Sequence, residues 1–187
     1  MVTLIGLSGS LRHESYNSAV LRAAAALMPA DSELRIESIV AIPLYDGDVE
    51  SASGLPEPVA RLTDAIAAAD GLLFVAPEYN NSMSGVAKNA IDWLSRPPAD
   101  IARVFGGKPV AIAGASPGGF GTTLAQAAWL PVFKTLGADL YSRGRLLVSR
   151  AGTLVDASGE ISDAPTRDNI AKFVNGFVAY VRQRQGT

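Results

Sequence analysis

Short apolar runs alternate along the chain with segments in which apolar residues recur at helical spacing. The runs predict strands, and the two that are apolar throughout, residues 71–76 and 110–113, indicate burial on both faces, as in a parallel sheet covered by helices. The predicted strands span residues 2–7, 34–39, 71–76, 108–115 and 144–148. The predicted helices span residues 16–28, 57–69, 86–94, 122–136 and 165–184.

This alternation predicts an α/β domain with right-handed crossovers between parallel strands. No internal repeat or linker is visible, so residues 1–187 are expected to form a single domain, with polar loops at residues 46–58 and 156–165. Ligands bind to such sheets beyond the carboxyl ends of the strands, near the point where the strand order reverses. The loops that follow strands therefore become the candidate binding segments, and three are notable: residues 8–17, 77–84 and 116–121.

Composition narrows the classes of function. With 48% hydrophobic residues, 18% charged residues and a net charge of −2, the chain is an ordinary globular protein without a basic surface for nucleic acid or anionic membranes. No apolar run approaches the roughly 18 residues of a membrane span. The absence of cysteine excludes disulfides and thiolate chemistry, and a single histidine, His13, excludes a His-rich metal site. For these reasons no metal is expected. Because the first residues predict a strand rather than a signal peptide, we expect a cytoplasmic protein.

The first candidate loop has the sequence SGSLRHESYN and leads into a helix. It offers the hydroxyls of Ser10 and Ser15, the Asn17 amide, the Arg12 guanidinium and several backbone N–H groups. A phosphate monoester is stabilised by such donors at the positive end of a helix. The loop lacks the Gly-Lys-Ser/Thr of a Walker A motif and does not complete a dinucleotide fingerprint. A polar helix cap explains the same residues equally well, so this loop alone leaves both interpretations open.

The second candidate loop begins directly after the buried strand at residues 71–76. Its proline fixes its own φ angle and keeps the preceding residue extended, so the exit from the strand is expected to be rigid. A carboxylate, an aromatic ring and an amide follow, and together they could hold a flat heterocycle by stacking and by hydrogen bonds to its edge. Taken alone, these residues favour the alternative of a rigid turn whose Ser82 or Ser84 caps the next helix. The four residues are Pro77, Glu78, Tyr79 and Asn80.

The third candidate loop, SPGGFGT, contains Ser116, Gly118 and Gly119. Glycines allow a backbone to approach a ligand closely, although a flexible turn is the simpler interpretation of one such loop. Three loops of this kind after consecutive central strands are a stronger signal, because the carboxyl ends of those strands converge. The sequence therefore favours one ligand site shared by the three loops.

At these residues the sequence resembles the NAD(P)H-dependent FMN reductase family, a flavodoxin-like group that includes bacterial quinone, azo-dye and chromate reductases. The family pattern G-S-L-R-x-x-S-x-N is met at residues 9–17. The long pattern P-E-Y-N-x-S-x-x-G, followed by K-N-A-I-D-W, is met at residues 77–93. The resemblance extends over nearly the whole chain. Two positions depart from the pattern near the start of a helix: Ser84 stands where members usually carry Pro, and Ala87 where they usually carry Leu.

The resemblance implies a flavodoxin-like three-layer α/β/α sandwich with a five-stranded parallel sheet in the order 2-1-3-4-5. It implies bound FMN, with the phosphate in the loop at residues 10–17, the flavin ring on residues 77–80, and Ser116 with its glycines closing the other side. It also implies a homodimer or a homotetramer. The implied FMN-binding residues are Ser10, Arg12, Ser15, Tyr16, Asn17, Pro77, Glu78, Tyr79, Asn80, Ser116, Gly118 and Gly119.

The implied activity is a ping-pong transfer in which NAD(P)H passes hydride to the flavin N5, NAD(P)+ leaves, and a small acceptor takes the electrons. Quinones are the expected acceptors, with free flavin, azo or nitro compounds and chromate as further choices. Because the chemistry belongs to the flavin, no catalytic side chain is expected, and Glu78 is expected to shape its loop. Two alternatives stay open. One is a flavodoxin-type electron carrier, a class that is usually strongly acidic, and the other is a flavin-free regulatory domain.

Overall fold

The computed structural model describes residues 1–185, which form eight strands and seven helices. The strands are β1 (Val2–Ser8), β2 (Ser32–Glu37), β3 (Gly71–Val75), β4 (Glu78–Tyr79), β5 (Ser82–Met83), β6 (Pro109–Ala115), β7 (Asp139–Leu140) and β8 (Leu146–Val148). The helices are α1 (Tyr16–Ala26), α2 (Gly47–Ser53), α3 (Glu57–Ala68), α4 (Gly85–Leu94), α5 (Ile101–Val104), α6 (Thr123–Thr135) and α7 (Ala164–Gln185).

The main sheet is parallel throughout and runs in the order β2-β1-β3-β6, with β7 and β8 both paired to β6. The predicted order 2-1-3-4-5 is confirmed, but the sheet has six strands rather than five, because two short strands share the last position. β7 pairs with the beginning of β6 and β8 with its end. The polar, glycine-containing segment at residues 141–145 leaves the sheet between them, which explains why the predicted strand at residues 144–148 begins only at Leu146.

Helices cover both faces of the sheet, which gives the predicted three layers. α1 and α7 pack on one face, where Leu4 of β1 is buried. α3, α4 and α6 pack on the other face, where Ile5 and Leu7 are buried. Successive side chains of a strand point to opposite faces, so a central strand that is buried on both sides reads as one apolar run.

The prediction of a loop at residues 46–58 is wrong, because α2 lies within it. Asp46 caps this helix, with its side chain accepting a hydrogen bond from the Asp48 N–H at 2.9 Å. None of the residues of α2 is buried, so the segment carries no apolar spacing from which a helix could have been predicted. In the described part of the chain, no helix combines the length and the apolar character that crossing a membrane requires.

Candidate functional site

The three candidate loops leave the sheet side by side. β1, β3 and β6 are neighbours, and their register aligns Ser8 with Val75 and Val75 with Ala113. The loops are joined from their first residues, since the Gly9 N–H donates to the Val75 carbonyl at 2.8 Å and the Ala76 N–H donates to the Ala113 carbonyl at 3.0 Å. The expected convergence of these loops at one edge of the sheet is therefore confirmed.

The first loop ends in a helix N-terminus that presents donors for an anion. Ser15 is buried and caps α1, its hydroxyl accepting a hydrogen bond from the Ser18 N–H at 3.3 Å. The first-turn N–H groups of Tyr16 and Asn17 have no acceptor within the helix. Arg12 lies exposed in the same loop, and its N–H donates to the Ser10 hydroxyl at 3.3 Å. Hydroxyls, free amides, a positive helix end and a guanidinium are the donor set that fits a phosphate.

The side chain of Asn17 joins this helix to the third loop. Its Nδ2 donates to the Ala115 carbonyl at 3.0 Å, and its Oδ1 accepts from the Ala115 N–H at 2.8 Å. Asn17 is buried, so these two bonds hold the first turn of α1 against the end of β6. The side-chain amide thereby makes two hydrogen bonds to the protein, and the backbone N–H of Asn17 is a further donor at the helix N-terminus.

Ser84 joins the first loop to the second. Its hydroxyl donates to the Gly9 carbonyl at 2.8 Å and accepts from the Ala87 N–H at 3.3 Å, so it is the cap of α4. A Cβ at Gly9 would lie only 2.9 Å from the Cβ of Ala76 and 3.0 Å from that of Ala87. Glycine at position 9, which faces the small side chains of Ala76 and Ala87, thus allows the two loops to pack in direct contact.

The corner at residues 77–84 is a short hairpin rather than a simple strand exit. β4 and β5 pair antiparallel, and the two turn residues, Asn80 and Asn81, have φ angles of 50° and 60°. Two positive φ angles are the signature of a type I′ turn, which asparagine tolerates better than most residues. Pro77 is buried and Tyr79 is half exposed. The Asn-Asn pair is the sequence signal for this turn, and the hairpin agrees with the rigid turn that these residues favour when taken alone.

Glu78 joins the second loop to the third. Its Oε2 accepts hydrogen bonds from the backbone N–H groups of Leu124 at 2.8 Å and Ala125 at 2.9 Å, in the first turn of α6. The residue at the cap position of that helix, Thr122, makes no capping hydrogen bond with its side chain. The carboxylate of Glu78 therefore caps α6 from another loop, in agreement with the expectation that Glu78 shapes its surroundings.

The third loop is bonded on its far side to the segment that follows β8. The Ser116 N–H donates to the Val148 carbonyl at 2.9 Å, and the Arg150 N–H donates to the Gly118 carbonyl at 2.9 Å. Gly118 and Gly119 are exposed, and a Cβ at Gly119 would meet no atom within 4 Å. This loop therefore keeps an open backbone surface next to the capped end of α6.

In the part of the chain that the structure describes, three cavities meet the first loop, and two of them also reach other parts of the candidate site. One of about 430 Å³ brings Ser10 and Arg12 together with Tyr79 of the corner. Another of about 730 Å³ brings Arg12, Ser15 and Tyr16 together with residues 155–160. Ser116, Gly118 and Gly119 line neither cavity.

The wall at residues 155–160 is a part of the site that sequence reasoning missed. Arg22 of α1 holds this wall, donating from Nε to Glu160 Oε1 and from Nη2 to the Gly159 carbonyl, both at 2.6 Å. These contacts join residues more than 130 positions apart, and no local pattern in the sequence signals them.

The helix that carries K-N-A-I-D-W packs against the segment after β2. Asn89 donates from Nδ2 to the Pro43 carbonyl at 2.8 Å and accepts from the Tyr45 N–H at 2.8 Å. The indole N–H of Trp93 donates to the same Pro43 carbonyl at 3.0 Å, and the side chain is fully buried. The motif therefore holds residues 43–45 in place, and Leu44 between them is 83% exposed.

Comparisons with a family profile, with related sequences and with solved structures all find oxidoreductases that are similar to this chain. The sequence profile of the family described as NADPH-dependent FMN reductase matches residues 2–153. An NAD(P)H-dependent FMN reductase of Pseudomonas aeruginosa is 43% identical over 185 residues, which cover 99% of this chain and 98% of the relative. A 2-hydroxy-1,4-benzoquinone reductase of a Burkholderia species is 40% identical over 177 residues, covering 95% and 94% of the two chains. The solved structure of FerB, a flavoenzyme NAD(P)H:(acceptor) oxidoreductase of Paracoccus denitrificans, superimposes with a TM-score of 0.86 at 32% identity and covers 98% of both chains.

Proposed function

The chain belongs to the NADPH-dependent FMN reductase family, and we propose that it is an oxidoreductase that oxidises NAD(P)H and reduces quinones or similar small acceptors by means of bound FMN. The observation that carries the proposal is the joining of three loops at one edge of the sheet, where Ser10 and Arg12 of the loop before α1 lie on the same cavity as Tyr79. The alternative of an electron carrier without substrates of its own is not favoured, because the matched relatives are named as reductases.

The phosphate of FMN is proposed to bind in the first loop. Arg12 supplies a guanidinium, Ser10 and Ser15 supply hydroxyls, and Tyr16 and Asn17 supply first-turn backbone N–H groups. A phosphate dianion gains there from charge-assisted hydrogen bonds and from the positive end of α1. The donor set is compact, which favours the monophosphate FMN over FAD.

The flavin ring is proposed to lie on the corner formed by Pro77, Glu78, Tyr79 and Asn80, with the third loop on its other side. Ser116, Gly118 and Gly119 contribute backbone and one hydroxyl there, so a flat ring can approach the chain closely. The bonds made by Asn17, Ser84 and Glu78 brace the three loops against one another and support a fixed position for the ring. When bound, FMN supplies the two-electron chemistry, and the protein supplies binding, orientation and electrostatics.

The proposed reaction needs no side-chain acid or base, and one open face of the ring serves both substrates in turn. Initial rates at varied NADPH and varied benzoquinone test this directly. Parallel double-reciprocal lines are expected for a ping-pong enzyme. Intersecting lines together with a ternary complex would contradict the shared face, and a protein that binds FMN but oxidises no NAD(P)H would be an electron carrier.

We further propose that the protein works as a homodimer or a homotetramer, with one interface beside the flavin corner. Leu44 and Val86 are exposed there by 83% and 36%, and Leu44 stands on the segment that α4 holds in place. Large apolar side chains grouped in this way favour burial against another subunit. Light scattering should show a smaller species for Leu44→Asp than for wild type. Leu130→Asp is the control, because Leu130 is likewise an exposed leucine, at 49%, but lies on α6. Dissociation by the control alone would mean that the interface lies elsewhere.

Residues 1–187 are proposed to act as one FMN-binding domain, because apolar clusters drawn from the beginning, middle and end of the described chain cover the two faces of a single sheet. The protein is proposed to work in the cytoplasm, where NAD(P)H is supplied. Because the chain has no cysteine, it forms no disulfides and needs no oxidising environment.

A further inference from the structure

We propose that Glu78 is a positioning residue for the flavin, which sets the separation between the hairpin at residues 78–83 and the third loop and also the charge beside the ring. This inference rests on the proposed function. The inference is based on two hydrogen bonds. Oε2 of Glu78 accepts them from the backbone N–H groups of Leu124 at 2.8 Å and Ala125 at 2.9 Å. A cap contributed across 46 positions of sequence is a tertiary link, so it connects two binding loops as well as stabilising a helix.

The cap comes from outside because α6 does not supply its own. Thr122, at the cap position, is buried, and its Oγ1 accepts a hydrogen bond from Gln126 Nε2 at 3.1 Å instead of from the first-turn N–H groups. Gln126 in turn donates to the Leu146 carbonyl at 2.9 Å, so Thr122 takes part in fixing β8. Without Glu78, two N–H groups at the beginning of α6 would lose their acceptors.

The geometry couples the hairpin to the third loop at close range. Gly114 lies where β6 ends, and a Cβ there would overlap both Thr122 and the Ala76 carbonyl. The beginning of α6 is therefore packed against the exit of β3, and Glu78, two residues beyond Ala76, is placed to reach it. A change at Glu78 moves Tyr79 and Asn80 relative to Gly118 and Gly119, the two sides between which the ring is proposed to lie.

The carboxylate also sets the charge at this end of the site. A helix N-terminus carries about half a positive elementary charge, which Glu78 balances by direct contact with α6. A flavin ring gains negative charge when it is reduced at neutral pH. Removing the charge of Glu78 leaves the helix end uncompensated, which favours the reduced ring and raises its midpoint potential.

The experiment compares Glu78→Ala and Glu78→Gln with wild type, using FMN and riboflavin as separate ligands. Glu78→Ala removes both hydrogen bonds, and both ligands should weaken by the same factor, about tenfold, because the defect lies on the ring side of the site. Glu78→Gln keeps an acceptor for α6, so both affinities should stay within about threefold of wild type. The midpoint potential of the bound FMN should nevertheless become more positive in Glu78→Gln. The shift corresponds to an affinity for reduced FMN, relative to that for oxidised FMN, that is about two- to fivefold higher than in wild type.

Asp163→Ala is the matched control. Asp163 also caps a helix, since its Oδ2 accepts from the Thr166 N–H at 2.9 Å at the beginning of α7. The control should lose stability comparable to Glu78→Ala, as measured by urea unfolding of the flavin-free proteins, without any change in the two affinities or in the potential.

The outcomes separate this inference from the proposed function. If wild type binds FMN and Glu78→Ala binds both ligands as wild type does, the positioning role is refuted while the reductase proposal stands. An unchanged potential in Glu78→Gln refutes the electrostatic part. Weakening of FMN without weakening of riboflavin would mean that Glu78 acts on the phosphate side, which also contradicts the inference. If wild type binds no flavin, the proposed function itself has failed.

Discussion

Replacing Arg12 with alanine should weaken FMN binding strongly and leave riboflavin binding nearly unchanged. Riboflavin has the same ring and ribityl chain as FMN and lacks only the phosphate. Within residues 1–185 the Arg12 side chain is exposed and has no hydrogen bond or ion pair of its own. Its removal therefore leaves no protein group unpaired, and the effect on affinity reports the contact with the ligand.

The magnitude follows from one charge-assisted hydrogen bond, which contributes about 1.5–3 kcal/mol. At about 1.4 kcal/mol per decade, FMN affinity should fall roughly 10- to 150-fold. Screening at an exposed position favours the lower end of that range, and added salt should narrow the gap between wild type and variant. Arg12→Lys should recover only part of the loss, because a point charge replaces a planar fork. The other donors should keep FMN binding measurable.

The assay is the pair of dissociation constants, for FMN and for riboflavin, measured by quenching of flavin fluorescence at two salt concentrations. Arg145→Ala is the control, because it removes the same charge from an exposed arginine at the edge of the sheet, near β8. Equal weakening of both ligands by Arg12→Ala would make Arg12 structural and put the phosphate elsewhere. No weakening of either ligand would reduce the first loop to a helix cap.

Three further predictions concern the braced loops and the fold. Tyr79→Ala should lower flavin affinity, whereas Trp93→Ala should cost about 3–5 kcal/mol of stability and leave the flavin affinity of the folded protein unchanged. Urea unfolding measures the stability and flavin titration the affinity, and equal affinity losses in the two variants would contradict the placement of the ring at Tyr79. Asn17→Leu should cost about 1–3 kcal/mol for each buried Ala115 backbone group that it leaves unpaired, again by urea unfolding, and full stability would refute the bracing role. Burial opposes ionisation of Asp139, but hydrogen bonds from Arg184 and a tyrosine lower the pKa of its carboxyl below the ordinary 3.8. The stability that ionised Asp139 contributes is therefore complete above about pH 4 and is lost as pH falls through the lowered pKa. The difference in unfolding free energy between wild type and Asp139→Asn should shrink in acid, and a difference that stays constant would contradict this role of Asp139.

The strands and long helices could be predicted because their signals are local. A buried central strand reads as an apolar run, and Ser15 and Ser84 stand at the helix starts that they cap. The split between β7 and β8 could not be predicted, because a strand of two residues carries no periodicity. The exposed helix α2 buries nothing and therefore has no apolar spacing.

The candidate site could likewise be predicted only in part. The loops were found because their position after parallel strands follows from topology, and their residue types from chemistry. The bonds that brace them, from Asn17 to Ala115 and from Glu78 to Leu124, span 98 and 46 positions. Only the folded chain brings such pairs together. The sequence pointed to Asn17 for contact with a ligand and to Glu78 for shaping its loop, but it could not identify the protein group that each side chain binds.

The most direct test of the proposed reductase activity is an anaerobic titration of the FMN-loaded protein with NADPH, followed by one equivalent of benzoquinone, with the flavin absorbance recorded throughout. We expect NADPH to bleach the yellow band in a one-to-one stoichiometry and the quinone to restore it. A protein that takes up no FMN, or whose bound FMN is not bleached by NADPH or NADH, would contradict the proposed function.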